Sequence, residues 1–188
     1  MIIKTTVGVS SRHVHLKESD FKLLFGDSEL TKLRDLKQIG QFAANETVTL
    51  KTQKGTFENV RIIGPLRNYT QVEISKTDSY KLGLNPPVRK SGDIKDSESI
   101  TIIGPNGEIT IEEGCIIANR HVHITHDIAK QYNLKDDQVI LVKIDTEKKG
   151  IIQAVTKISD DAYFELHLDT DDANSFLLKN EDEVVIII

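Results

Sequence analysis

The chain has 188 residues, 38% of them hydrophobic and 28% charged, a balance that excludes a disordered polypeptide and allows one domain or two small ones with a real core. A net charge of −5 gives no overall basic field for a nucleic-acid backbone, and the single cysteine, Cys115, excludes an intrachain disulfide. No apolar run approaches the roughly 18 residues of a spanning helix, and residues 1–16 lack the roughly 7–15-residue apolar stretch of an export signal, so a cytoplasmic protein without membrane contact is expected.

Short runs rich in Val, Ile and Thr predict strands at residues 2–9, 47–52, 57–63, 71–75, 99–103, 108–111, 139–144, 151–158, 164–168 and 184–188. Gly, Asn and Pro punctuate them, and Asn106-Gly107 between two runs marks a hairpin. The expected fold is mainly β with short helices, arranged as barrels or sandwiches. Helices are predicted over 16–25, 125–132 and 170–178, each after a histidine, with Thr125 and Thr170 as N-caps. The segments after His123 and His167 align 44 residues apart, which suggests three strand-histidine-helix units as an internal repeat.

The tetrapeptide Arg-His-Val-His occurs twice, at Arg12 to His15 and at Arg120 to His123. In a strand, residues i and i+2 share a face about 7 Å apart, so His13 and His15 can converge on one ion, as can His121 and His123. With 6 histidines in the chain, composition alone gives roughly 0.2 His-x-His pairs, so two identical copies point to metal ligation rather than coincidence. Closed structural zinc sites usually draw on several cysteines, whereas histidine-rich sites with carboxylate help leave positions open for substrate. His126, on the helix after the second motif, reads as a surface residue, and Cys115 as a small buried strand residue.

Between the two motifs, Gly64-Pro65 forms a turn that delivers Arg67 from a loop, and the next strand presents Gln71 and Glu73 on one face. Arginine grips phosphate in bidentate fashion, and glutamate completes a metal's coordination. Downstream, Arg89, Lys90 and Ser91 sit on a loop shaped by proline and glycine, a second candidate anion cradle.

Taken together, five ordered segments resemble the PduL-type phosphate acyltransferases, or phosphotransacylases. They are Ser-Arg-His-Val-His at 11–15, Pro-Leu-Arg-Asn-Tyr-Thr-Gln-Val-Glu at 65–73, Pro-Val-Arg-Lys-Ser-Gly-Asp at 87–93, Asn-Arg-His-Val-His at 119–123 and His-Leu-Asp-Thr-Asp at 167–171. The resemblance implies two β-barrel domains, one from residues 11–117 and a discontinuous one from 1–10 with 118–188, and a dinuclear metal site between them. One ion, usually zinc, would be held by His13, His15 and Glu73, and the other by His121, His123 and His167. Arg67, with Gln71 and Ser91, would hold phosphate, and Arg89 and Lys90 would meet coenzyme A. The implied reaction interconverts acetyl- or propanoyl-CoA plus phosphate with acyl phosphate plus CoA, in a homodimer. Some relatives carry an N-terminal extension that targets microcompartments, and none is visible before the first predicted strand.

Two alternatives are a cupin-like oxygenase or isomerase and a non-catalytic metal-binding protein. The cupin motif wants a glutamate four or five residues after its second histidine, where this chain has Glu18 too close to His15 and Asp127 after His123. A binding scaffold gives no reason for Arg67 or Arg89.

Overall fold

A computed structural model describes residues 2–188. In chain order the elements are β1 (Ile2–Ser10), β2 (His13–His15), α1 (Glu18–Phe25), β3 (Lys32–Asp35), β4 (Phe42–Lys51), β5 (Thr56–Gly64), β6 (Gln71–Glu73), α2 (Lys76–Leu82) and β7 (Val88–Arg89). They continue with β8 (Glu98–Ile103), β9 (Glu108–Ala118), β10 (His121–Ile124), α3 (His126–Tyr132), β11 (Val139–Ile144), β12 (Gly150–Ile158), β13 (Glu165–Asp169), α4 (Thr170–Ser175) and β14 (Glu183–Ile187).

The chain divides into two compact units: Arg12–Ala118, and the residues up to Ser11 together with Asn119–Ile188. In the discontinuous unit, β1-β13-β10-β12-β11-β14 close into a barrel. In the continuous unit, β4-β5-β2-β6-β9 close through β8, which pairs with both β4 and β9, while β3 and β7 extend the sheet. Both units are β-barrels, as the family resemblance implies, which settles the choice between barrel and sandwich that the strand pattern leaves open.

Pairing shows that each barrel is a doubled strand-helix-hairpin module: β2-α1-β4-β5 and β6-α2-β8-β9 in one, β10-α3-β11-β12 and β13-α4-β14 completed by β1 in the other. In each module the first strand runs parallel to the last, as β2 does to β5, β6 to β9, β10 to β12 and β13 to β1. The leading strands of the two modules in a barrel pair antiparallel, β2 with β6 and β10 with β13. The expected repeat therefore has four members instead of three. The fourth member opens with β6, which carries Glu73 where the other three carry histidine, so the histidine spacing does not mark it.

Other differences have local causes. Asp169, not Thr170, caps α4, its side chain accepting from the backbone N–H of Asp172, because a carboxylate one residue earlier reaches the third amide. That helix ends at Ser175 rather than 178, since Leu177 takes a left-handed conformation (φ 56°) that returns Leu178 to the core. Thr125 does cap α3, accepting from Ile128 N–H. The strand expected to stop at residue 111 continues to Ala118 through Gly114, whose φ of 138° absorbs a bulge; a Cβ there would stand 2.8 Å from the Thr70 carbonyl. The fully exposed β3 lacks the alternation that would have marked it.

Core burial follows the strand period of two. Val7, Val122, Val142, Leu166 and Ile186 fill one barrel and Val14, Leu50, Ile62, Val72 and Ile102 the other, each at 2% exposure or less. Truncating Leu166, fully buried, to alanine should lower stability by about 2–5 kcal/mol, whereas truncating Val139, on the open face of β11, should change it by less than about 0.5 kcal/mol. Urea unfolding midpoints of the two variants check this, and equal losses would contradict the assigned faces.

Candidate metal centres

In the continuous barrel, β2 pairs antiparallel with β6 so that His13 lies opposite Glu73 and His15 opposite Gln71. The intervening Val14 and Val72 point into the core, so the polar residues share the opposite face. His13, His15 and Glu73 each offer a donor atom within 4.8 Å of the others. Nε2 of His13 is 3.4 Å from Oε2 of Glu73, and Nε2 of His15 is 3.9 Å from Oε1. Nδ1 of His15 lies 3.1 Å from the Ile63 carbonyl, which only accepts, so Nδ1 carries the proton and Nε2 presents its lone pair to the cluster.

Gln71, fully buried, supports this cluster. Its amide nitrogen donates to Oε1 of Glu73 at 2.6 Å and to Oγ of Ser91 at 3.0 Å, while its oxygen accepts from Gly92 N–H at 2.8 Å. Arg67 stands beside it: its Nη1 reaches the Tyr69 hydroxyl at 3.1 Å and Ser91 Oγ at 3.4 Å, and its backbone N–H donates to the Leu16 carbonyl at 2.8 Å. The loop that opens with the cis Gly64-Pro65 bond is thus tied to the start of α1. The structure brings together six of the expected residues here: His13, His15, Arg67, Gln71, Glu73 and Ser91. Arg89 instead turns to Asp93 at 3.7 Å, and Lys90 is exposed.

The discontinuous barrel repeats the arrangement. β10 pairs with β13 so that His121 lies opposite His167 and His123 opposite Glu165, with Val122 and Leu166 in the core. Donor atoms of His121, His123 and His167 again lie within 4.8 Å of one another. Nδ1 of His121 lies 2.9 Å from the Asn119 carbonyl, and its Nε2 is 3.1 Å from Nε2 of His123. Neighbouring donors on a tetrahedral zinc with bonds of about 2.0–2.1 Å lie about 3.3 Å apart, so the imidazole pair fits an ion without rearrangement. The other nitrogen of His123, Nδ1, is buried without a hydrogen-bond partner among the described residues. His126 is a surface residue as expected, near Asp160 at 3.5 Å.

The arginine of each tetrapeptide has a structural task that the motif alone does not reveal. Arg12 pairs with Asp78 at 2.6 Å and Arg120 with Asp172 at 2.7 Å, and each aspartate sits at the third position of the helix that follows the third-ligand strand. Asp78 also forms a capping box with Ser75. These aspartates and Glu165, which lies 2.9 Å from Nε2 of His167, were not among the residues singled out from sequence. The cap spacing of Ser75 to Asp78 and of Asp169 to Asp172 was a usable signal for the first two, and the i, i+2 relation to His167 for the third.

Burial, with the neighbouring His13 and Arg67, holds the His15 imidazole well below its ordinary range against the opposing pull of Glu73. Burial and the nearby His167, His121 and Lys157 bring His123 down to about 2. Both rings therefore stay neutral, the form a metal requires. An unfolded imidazole takes a proton below about pH 6.5 while these two do not, so their contribution to stability is intact above that pH and is lost as pH falls. In metal-free protein, stability should fall from pH 6.5 to 5 by up to about 1.4 kcal/mol per pH unit for each ring, and His123→Gln should flatten the slope. Urea midpoints across that range check the sign; a midpoint that rises on acidification would contradict it.

The sequence profile of the family described as Phosphate propanoyltransferase matches residues 6–179. A phosphate propanoyltransferase of Thermotoga maritima is 46% identical over 184 residues, covering 96% of this chain and 88% of that protein. That of Priestia megaterium is 48% identical over 182 residues, covering 96% and 84%. That of Rhodopseudomonas palustris is 43% identical over 185 residues, covering 97% and 82%. These matches set aside the cupin-like and non-catalytic alternatives. Paired histidine clusters, a flanking arginine and similarity along nearly the whole chain lead to one assignment: this protein belongs to the phosphate propanoyltransferase family and is an acyltransferase.

Proposed function

We propose that this chain interconverts a short-chain acyl-CoA and phosphate with acyl phosphate and CoA, and that it uses two zinc ions per chain, one held by His13, His15 and Glu73 and the other by His121, His123 and His167. The observation that carries the reading is the Arg67 guanidinium, fixed beside the His13, His15 and Glu73 cluster with the Ser91 and Tyr69 hydroxyls. Its fork matches the oxygens of a phosphate, and the two hydroxyls can add donors to the same anion.

In the forward direction a phosphate oxygen bonds to the thioester carbon, the carbon–sulfur bond breaks, and CoA leaves as a thiolate. Arg67 collects and orients the nucleophile, which lowers the entropic part of the activation barrier. Gln71, engaged at both ends of its amide, holds Glu73 and Ser91 in place instead of meeting phosphate itself. Bound zinc would supply Lewis acidity at the carbonyl and tolerance for a sulfur ligand. Arg89 and the exposed Lys90 are the candidate contacts for CoA phosphates. Cys115 is fully buried with its thiol pushed up to about 12, so it is unsuited to carry the acyl group, and direct attack by phosphate is the favoured course.

Purified protein should release thiol from propanoyl-CoA or acetyl-CoA only when phosphate is present, lose that activity on chelation and regain it with zinc. Arg67→Ala should lower kcat/KM for phosphate by about 10²–10³-fold, with Arg67→Lys in between. Thiol release that ignores phosphate, or a fully active Arg67→Ala enzyme, would overturn the assignment of Arg67. No candidate helix among the described residues is long and apolar enough to cross a membrane.

A further inference from the structure

The third donor strands of the two barrels match position for position. Gln71 lies opposite His15 and two residues before Glu73; Glu165 lies opposite His123 and two residues before His167. In the first barrel this position orients a carboxylate donor by donating to it, Gln71 Nε2 to Glu73 Oε1 at 2.6 Å. In the second the donor is an imidazole, and the hydrogen bond has the opposite polarity: Glu165 Oε2 lies 2.9 Å from Nε2 of His167.

We infer that Glu165 is the positioning residue of the second centre: it accepts the Nε2–H of His167, fixes that tautomer and leaves Nδ1 as the metal donor. Glu165 itself is only 4% exposed, and it stands outside the set of His121, His123 and His167 donors that lie within 4.8 Å of one another while touching the His167 ring at 2.9 Å, the placement of a partner to a ligand rather than of a ligand. A carboxylate so placed raises the basicity of an imidazole ligand and holds its plane.

The backbone makes room for it. Gly8 of β1 lies beside His167 in the parallel β1/β13 pair, and a Cβ on Gly8 would stand 2.5 Å from Glu165 Oε2 and 3.1 Å from Cδ2 of His167. Glycine at this position is a notch that lets the carboxylate reach the ring edge. Two residues earlier on the same face, Thr6 sits beside Glu165, with its hydroxyl 3.5 Å from Oε1. Position 8 therefore reports on the Glu165–His167 contact without removing any charge.

The inference rests on the two-ion reading, and two measurements separate them. Two-bond ¹⁵N–¹H correlation spectra of histidine-labelled, metal-free protein at pH 8, with the His167 signal assigned by its loss in His167→Gln, should show the Nε2–H form of that ring. Glu165→Ala and Gly8→Ala should each convert it to a mixture, and Glu165→Gln, which keeps an acceptor oxygen, should restore it. Titration of zinc against a competing chelator should show about a 10–100-fold loss of affinity for one of the two ions in Glu165→Ala and Gly8→Ala, with the other ion unchanged. An Nδ1–H form of His167 in the unsubstituted protein, or both ions bound as tightly in Glu165→Ala, overturns the inference. Unsubstituted protein that takes up no second ion refutes the two-ion reading instead, even where the tautomer is as expected.

Discussion

Antiparallel pairing of a His-x-His strand with the strand that carries the third donor is the constraint on which both candidate centres depend. Register puts His13 across from Glu73 and His121 across from His167, and the alternate residues Val14, Val72, Val122 and Leu166 lock that register because they fill the two cores. A slip of one residue in either pair would turn the imidazoles inward and the aliphatic side chains outward. The energy that fixes donor geometry is thus supplied by packing on the reverse face. Neutral, buried imidazoles such as His15 and His123 can each be held close to the other histidine of its own tetrapeptide because the fold, and not their mutual attraction, keeps them there.

Around this pairing, each barrel adds the same clamp. An arginine just before the His-x-His strand meets an aspartate in the first turn of the helix after the donor strand, so the two strands are tied at their ends as well as along their ladder. Both aspartates are side-chain partners near helix N-termini, where negative charge is favoured. The repeated tetrapeptide is therefore a compact instruction: one residue for the clamp, one for the core and two for the centre.

The doubled design has diverged where chemistry differs. One donor set includes a carboxylate, the other is all imidazole, and the residues behind them, Gln71 and Glu165, exchange hydrogen-bond polarity accordingly. A neutral amide stands behind the charged donor and a carboxylate behind the neutral one. Arg67 has its setting in the first barrel, where Tyr69 and Ser91 join it, and this asymmetry separates the barrel with the candidate anion cradle from its sister.

The mainly-β class and the histidine pairs were legible because strand alternation is a local property of sequence, whereas the choice of barrels over sandwiches and the grouping of Arg67 with Gln71 and Ser91 came with the resemblance of short ordered segments to a known family. The helix after β6, the length of β9 and the fourth module were not, since Glu73 does not announce itself as a counterpart of His167 and Gly114 disguises a bulge as a strand end. What the sequence alone determined was which residues share a strand face, because a period of two needs no information beyond nearest neighbours. Tertiary structure decided what lies opposite them: Glu165 behind His167, Gly8 making room for it, and an aspartate beside each motif arginine, all of which depend on pairing between segments far apart in the chain.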